Sequence, residues 1–326
     1  MKNILEIEHL SLSLPSRKGM VPILHDVNLH VGEGKILGLV GESGSGKSMT
    51  AFAVTRLLPG EEKAELDGSI HLCGRQLLGI SRKSMEEVRG RDVSMIFQER
   101  MTCLNPVFTI GTQMMGVIRT HEKMSSGDAR KKALAMLEAV HIRNGDDVIS
   151  CYPYQLSGGM RQRVMIAIAL SCHPKLLIAD EPTTALDVTV QKQVIDLLNK
   201  LQHELGFAMV FVSHDLAVVQ EITDRVLVME QGHVVERLLS KDLRKGLHPC
   251  TRRLISAQLP EDGHSIPSAY EKGILYYDGN QVQLVEDDEK IRDILGKGAV
   301  EKEVALGEEH RVRAYCRESD DDHSAD

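Results

Sequence analysis

Apolar residues in the first 260 positions gather into short, mostly uninterrupted runs separated by longer amphipathic stretches. The runs "KILGLV" (35–40), "DVSMIF" (92–97), "KLLIAD" (175–180) and "AMVFVS" (208–213) lack strict alternation, as expected of strands covered on both faces. Between them, apolar residues spaced by three and four predict helices over 47–57, 128–140, 160–171, 189–205 and 215–222. The opening "ILEIEHLSLSL" alternates with period two and predicts an edge or half-buried strand, and "RVLVMEQGHVVE" predicts a hairpin turning at Gln231-Gly232. Strands alternating with helices indicate an α/β fold with a parallel sheet and helices on both faces.

From about Pro260 this pattern ends. "PEDGHSIPSAYEKG" reads as a linker, and "ILYYDGNQVQLV" as a hairpin turning at Asp278-Gly279-Asn280. "DDEKIRDILG" predicts a short helix, "HRVRAYCRE" a last strand, and "SDDDHSAD" a charged, disordered terminus. The expected division is therefore a main domain over 1–260 and a small accessory region over 261–326. Charge sharpens that boundary: the chain carries a net −8, yet residues 261–326 hold 18 acids and 8 bases, so the main body is nearly neutral. Neither part has the basic footprint of a nucleic-acid binder. Six scattered cysteines without a C-x-x-C pair point to reduced thiols in a cytoplasmic protein rather than a disulfide framework or a zinc site. No apolar run reaches the roughly 18 residues of a membrane span, and the start lacks a signal peptide's apolar block, so a soluble chain is expected.

The sequence "GESGSGKS" (41–48) fits G-x-x-x-x-G-K-[ST] and stands between an apolar strand and a helical pattern. Glycines let the backbone curl so that successive N–H groups face one concavity, and the helix start adds partial positive charge, which together suit phosphate oxygens. Gly41, Glu42, Ser43, Gly44, Ser45, Gly46, Lys47 and Ser48, with Met49 after them, are the expected nucleotide contacts. Lys47 would neutralise the β- and γ-phosphates and Ser48 would ligate Mg²⁺. A metal-holding acid is then needed. "LLIADE" (176–181) ends a buried-type strand in two carboxylates at the sheet's carboxyl edge, where α/β folds bind ligands. Asp180 would hold Mg²⁺, and Glu181 would polarise the attacking water as general base. Gln98 and His214 end equivalent strands; each is either an ordinary strand-terminal polar residue or, respectively, a ligand at the Mg²⁺/water position and a contact to the γ-phosphate. Ser157, Gly158 and Gly159 open another helix without a lysine or a second acid. That start is either a plain cap or half of a pocket completed by a second subunit.

Taken in order, GESGSGKS, Gln98, LSGGMRQ, LLIADE, "TALD" (184–187) and His214 resemble the ATP-binding cassette (ABC) ATPases over about residues 4–260. That resemblance implies a P-loop NTPase fold: a RecA-like core with antiparallel β and helical subdomains, the latter over about 99–160 and facing a membrane partner. It implies that Ser157, Gly158, Gly159 and Gln162 contact the γ-phosphate bound by a partner subunit, that Asp187 lies in the loop communicating between the two sites, and that His214 is the switch residue. "CLNP" (103–106), "ADEPTTALDVTVQKQVIDLL" and "HPCTRRLISA" (248–257) look like the ATPases of peptide and nickel importers. The implied assembly is two cassette subunits, alike or different, beneath two permeases at the cytoplasmic face of a prokaryotic membrane, fed by an external solute-binding protein. The implied cofactors are ATP and Mg²⁺, and the implied cargo is a di- or oligopeptide, or nickel or another metal chelate. Exporters and non-transport ABC ATPases are the rival readings; no long heptad run separates Ser48 from Ser157, and one cassette is present. Leu14 stands where the family usually places an aromatic residue on adenine, which gives up stacking of about 1 kcal/mol. "ERMTC" departs from the usual segment before "LNP". The tail offers only Cys250 and Cys316, too few thiolates for the iron–sulfur cluster that many peptide-importer ATPases resemble having, so no cluster is expected.

Overall fold

The computed structural model describes residues 2–98, 103–184, 186–258, 273–277, 279, 281–285, 294–295, 299–307 and 309–317. Strands in chain order are β1 (Asn3–Ser16), β2 (Gly19–Gly32), β3 (Ile36–Gly41), β4 (Glu65–Leu72), β5 (Arg75–Gln76), β6 (Val93–Ile96), β7 (Leu176–Asp180) and β8 (Ala208–Val212). They continue as β9 (Arg225–Glu230), β10 (His233–Leu239), β11 (Ile274–Tyr277), β12 (Val282–Val285), β13 (Ala299–Ala305) and β14 (Arg311–Arg317). Two compact units emerge, one of Met1–Ile36 with Ser48–Val212 and one of Leu37–Lys47 with Ser213–Asp326.

In the first unit β6, β7 and β8 run parallel, and every residue of β7 and β8 is buried. Such unbroken apolar strands require cover on both faces. β1 pairs antiparallel with β2 and with β4, forming a separate sheet whose alternating Leu5, Ile7, Leu10 and Leu12 are almost completely buried. The helices of this unit start where a side-chain oxygen can accept an otherwise orphaned N–H. Thr109 caps helix Ile110–His121, Ser125 caps Ser126–Ala139, Ser157 caps Gly158–Leu170, and Asp187 caps Val188–Leu205. Gly206, at φ 70°, closes the last of these in the left-handed region that suits a helix end.

In the second unit β3 and β9 are parallel, β9 and β10 form the expected hairpin, and β14 adds antiparallel to β10 at Glu236↔Val312 and Arg237↔Arg311. β13 pairs with β14, and β11 with β12 forms the hairpin read from "ILYYDGNQVQLV". The predicted linker, most of the short helix at 287–296 and the charged terminus lie outside the described residues. The two units do not divide at residue 260, where composition changes, because β14 extends the sheet that begins with β3. A buried carboxylate reinforces this junction. Glu236, 1% exposed, accepts from Leu247 N at 2.7 Å, His248 N at 3.2 Å and His310 Nε2 at 2.8 Å. Burial alone would push its carboxyl up, but hydrogen bonds, from His310 and Leu247 N foremost, outweigh burial and hold it below its ordinary value.

Because the folded value is depressed, this stabilisation is present above the carboxyl's ordinary 4.5 and is lost as pH falls through the folded value. Glu236→Gln replaces one acceptor oxygen by an NH2 that faces a backbone donor and removes the charge, and is expected to destabilise by about 2–4 kcal/mol at pH 7. Thermal unfolding across pH should show the gap from wild type largest near neutrality and shrinking below about pH 4.5.

Candidate functional site

The loop after β3 is shaped by backbone that only glycine adopts readily. Gly41, Gly44 and Gly46 have φ of 153°, 81° and 104°. A Cβ on Gly41 would stand 2.3 Å from Met229 O and 2.6 Å from Ser45 Oγ, so the loop has no room for a side chain at its first turn. The curled backbone receives Lys47, which is only 6% exposed. Its Nζ donates to Gly41 O at 2.9 Å, Glu42 O at 2.8 Å and Ser45 Oγ at 3.4 Å. Glu42, Ser43 and Gly44 are exposed at the loop's outer turn. On the same unit, Ser213 N donates to Leu39 O at 3.2 Å, two residues before Gly41, and places His214 at this sheet edge. His214 is exposed and precedes Asp215, whose carboxylate caps helix Leu216–Ile222.

The first unit gathers the remaining polar groups. Ser48 Oγ donates to Asp180 Oδ1 at 3.0 Å, and Asp180 is 1% exposed at the end of β7. Glu181 follows at φ 46°, a left-handed conformation that costs a non-glycine residue about 1 kcal/mol or more. Two contacts hold its carboxylate there: Gln98 Nε2 at 2.9 Å and Thr184 Oγ1 at 2.7 Å, both on Oε2. With Nε2 committed to Glu181, the amide oxygen of Gln98 remains its acceptor end, the end that can ligate a hard cation. A cavity of about 570 Å³ lies here, lined by Ser48, Met49, Phe52, Phe97, Gln98, Cys103 and Asp180. Thr184 and Cys103 entered the sequence reading only as the first residues of "TALD" and "CLNP", and Phe52 and Phe97 were given no role. A hydroxyl three residues after Glu181 was the one signal available for Thr184; the two phenylalanines, rings 6.4 Å apart, meet only through folding.

Each set of groups suits one part of a magnesium nucleotide. A buried ammonium within a glycine-curled loop suits phosphate oxygens, and a hydroxyl beside a single buried carboxylate suits Mg²⁺, which keeps phosphate and water among its ligands. Ser48 and Asp180, with the Gln98 oxygen, are the groups that would hold the ion.

Leu14 is half-buried on β1 opposite Val21 and does not line this cavity. Ser157 Oγ accepts from Met160 N at 3.3 Å and Asp187 Oδ1 accepts from Val190 N at 3.0 Å, so both are caps, and both are exposed. Gly159 is close-packed: a Cβ there would meet Val190 Cγ1 at 3.2 Å, whereas one on Gly158 would meet open space. Gln162 is 0% exposed, and neither amide atom has a hydrogen-bond partner within the chain. Val164, Met165, Ile166 and Ala167 on the same helix are buried as well.

The ABC transporter family model matches residues 24–184. The chain is 49% identical over 261 residues to the probable D,D-dipeptide transport ATP-binding protein DdpD of Escherichia coli, spanning 80% of this chain and 79% of that one. It is 45% identical over 264 residues to the oligopeptide transport ATP-binding protein AppD of Bacillus subtilis, spanning 81% and 80%. Its fold is similar to that of the ATP-binding cassette MJ0796, solved as a dimer in a post-hydrolysis state with ADP and Pi, at TM-score 0.65 and 27% identity over 73% of this chain and 99% of that one.

An unpaired buried amide costs about 1–3 kcal/mol. Gln162→Met, which keeps the volume and removes both polar atoms, is expected to raise Tm by about 2 °C or more in thermal unfolding. A lower Tm would mean that the amide is satisfied in the folded protein.

Proposed function

The chain belongs to the ABC transporter ATPases, and we propose that it is the ATP-hydrolysing subunit that powers import of di- or oligopeptides. The observations that carry this reading are a glycine-curled loop around buried Lys47 in one unit and, within the other, the Ser48–Asp180 and Gln98–Glu181 hydrogen bonds. Peptide cargo is favoured by the names of the relatives; selection itself would fall to permeases and an external binding protein.

In the working site Lys47 exchanges loop carbonyls for β- and γ-phosphate oxygens, a stronger charge-assisted pairing. Ser48 and Asp180 hold Mg²⁺, which supplies neutralisation of phosphate charge when bound. Glu181, steadied by Gln98 and Thr184, orients water and accepts its proton, and His214 reads the terminal phosphate. Ser157, Gly158 and Gly159 serve the nucleotide of a second cassette subunit, with Asp187 opening the adjacent helix. Hydrolysis then removes the contacts that hold two subunits closed, so the link to transport is differential affinity of the two nucleotide states for the closed form.

Toward the membrane, the helical segment between Gln98 and Ser157 offers exposed Val107 (70%), Phe108 (49%) and Tyr154 (70%) for permease docking. Among the described residues no helix is long and apolar enough to cross a bilayer, which suits a peripheral subunit on the cytoplasmic face.

Glu181→Gln is expected to slow ATP hydrolysis at least about a hundredfold while ATP stays bound, measured as turnover and retained nucleotide in the purified complex. Turnover near wild type would remove Glu181 from the general-base role. Lys47→Ala should weaken ATP binding by about tenfold or more, because it removes a charge-assisted contact of about 1.5–3 kcal/mol. Uptake of labelled peptide by the assembled transporter should be lost in both variants.

A further inference from the structure

Helix Pro249–Gln258 lies outside the residues assigned to ATP, yet it touches the phosphate loop directly. Arg253 Nε stands 3.3 Å from Glu42 Oε1, while its NH2 donates to Glu230 Oε1 at the end of β9. The Glu42 carboxylate meets Arg253, and its backbone oxygen accepts from Lys47 Nζ at 2.8 Å and from Ser45 N at 3.2 Å. Any shift of the Glu42 main chain therefore moves a partner of the buried ammonium. One arginine forked between two carboxylates is preorganised in a way that a lone surface pair is not. Burial alone would lower the Arg253 pKa, but Glu230 and Glu42 outweigh it and hold the guanidinium more firmly charged than usual.

The helix that carries Arg253 is itself fixed at both ends. At its start Glu236 accepts from Leu247 N and His248 N, and a Cβ on Gly246 would stand 2.4 Å from Thr251 Cγ2. At its end Gln258 Oε1 accepts from Leu216 N at 2.8 Å, two residues beyond His214. Glu236 also receives His310, which immediately precedes β14. A continuous set of bonds thus runs from the C-terminal strands through Glu236 and this helix to Glu42.

We propose that Arg253 is a positioning residue for ATP binding: it fixes the phosphate loop through Glu42 and so ties the loop to the C-terminal strands. This rests on the reading of residues 41–48 as the phosphate loop. The test is equilibrium titration of the full-length chain with a fluorescent ATP analogue, alongside steady-state ATPase kinetics of the assembled transporter. Arg253→Met, which keeps the apolar stem, should raise Kd and KM for ATP about threefold to fivefold with kcat within about twofold. Glu42→Gln should raise Kd for ATP by a similar factor, and the double variant should bind no more weakly than Arg253→Met alone, because the contact between the two side chains is already lost there. Glu42→Gln alone carries the test should Arg253→Met fail to fold. Unchanged affinity in these variants, or effects that multiply in the double variant, would overturn the proposal. Lys47→Ala separates the two levels: unchanged ATP binding there defeats the phosphate-loop reading itself, whereas lost binding with wild-type affinity in Arg253→Met defeats the positioning role alone.

Discussion

A cation that is almost fully buried needs partners, and the site is organised around that need. Taking an ammonium out of water costs several kcal/mol unless hydrogen bonds replace its hydration. At Lys47 the replacements are carbonyls of its own loop, brought inward by a backbone that runs through positive φ at Gly41, Gly44 and Gly46. Neutral carbonyls satisfy the geometry of an ammonium but not its charge. A polyphosphate oxygen supplies both, which is why this arrangement favours an anion over water. The tight approach of Gly41 to Met229 O then fixes where the loop leaves its strand, so the sheet of β3 and β9 sets the position of the charge.

The two acids at the end of β7 are adjacent in sequence and opposite in environment. Asp180 is buried and bonded to a hydroxyl, a setting suited to a metal ligand. Glu181 lies just outside the strand, in a left-handed conformation, partly exposed and held by Gln98 and Thr184. The backbone reversal between them points consecutive carboxylates to different tasks, and strain of this kind persists only where surrounding contacts over-determine it. Pro182, buried directly afterwards, limits the ways in which the turn could relax.

Much of this was legible in the chain. Buried parallel strands announce themselves as apolar runs, and the phosphate loop, Asp180 and Glu181 could be placed because they follow such runs. The antiparallel partners β2 and β4 were less legible, since half-exposed strands such as "ELDGSIHL" mix polar residues with only a few buried ones. β13 is harder still, because "AVEKEVA" presents alternating charges that read equally as a solvated helix. The burial of Gln162 was not legible either, because a single polar residue next to a glycine-rich helix start carries no local mark of being interior. Contacts such as Gln98 with Glu181 or Arg253 with Glu42 join residues 83 and 211 positions apart, and no local pattern encodes them.

The glycine-rich helix start can be both a cap and a ligand site. Ser157 Oγ uses a lone pair to accept Met160 N, which leaves its hydroxyl hydrogen available to donate. Capping therefore orients the group that a phosphate oxygen would need, and the remaining N–H groups of the first turn carry the same partial positive charge. Gly159 pressed against Val190 sets this start beside the start of helix Val188–Leu205, which Asp187 caps in the same manner. Both helix starts are exposed.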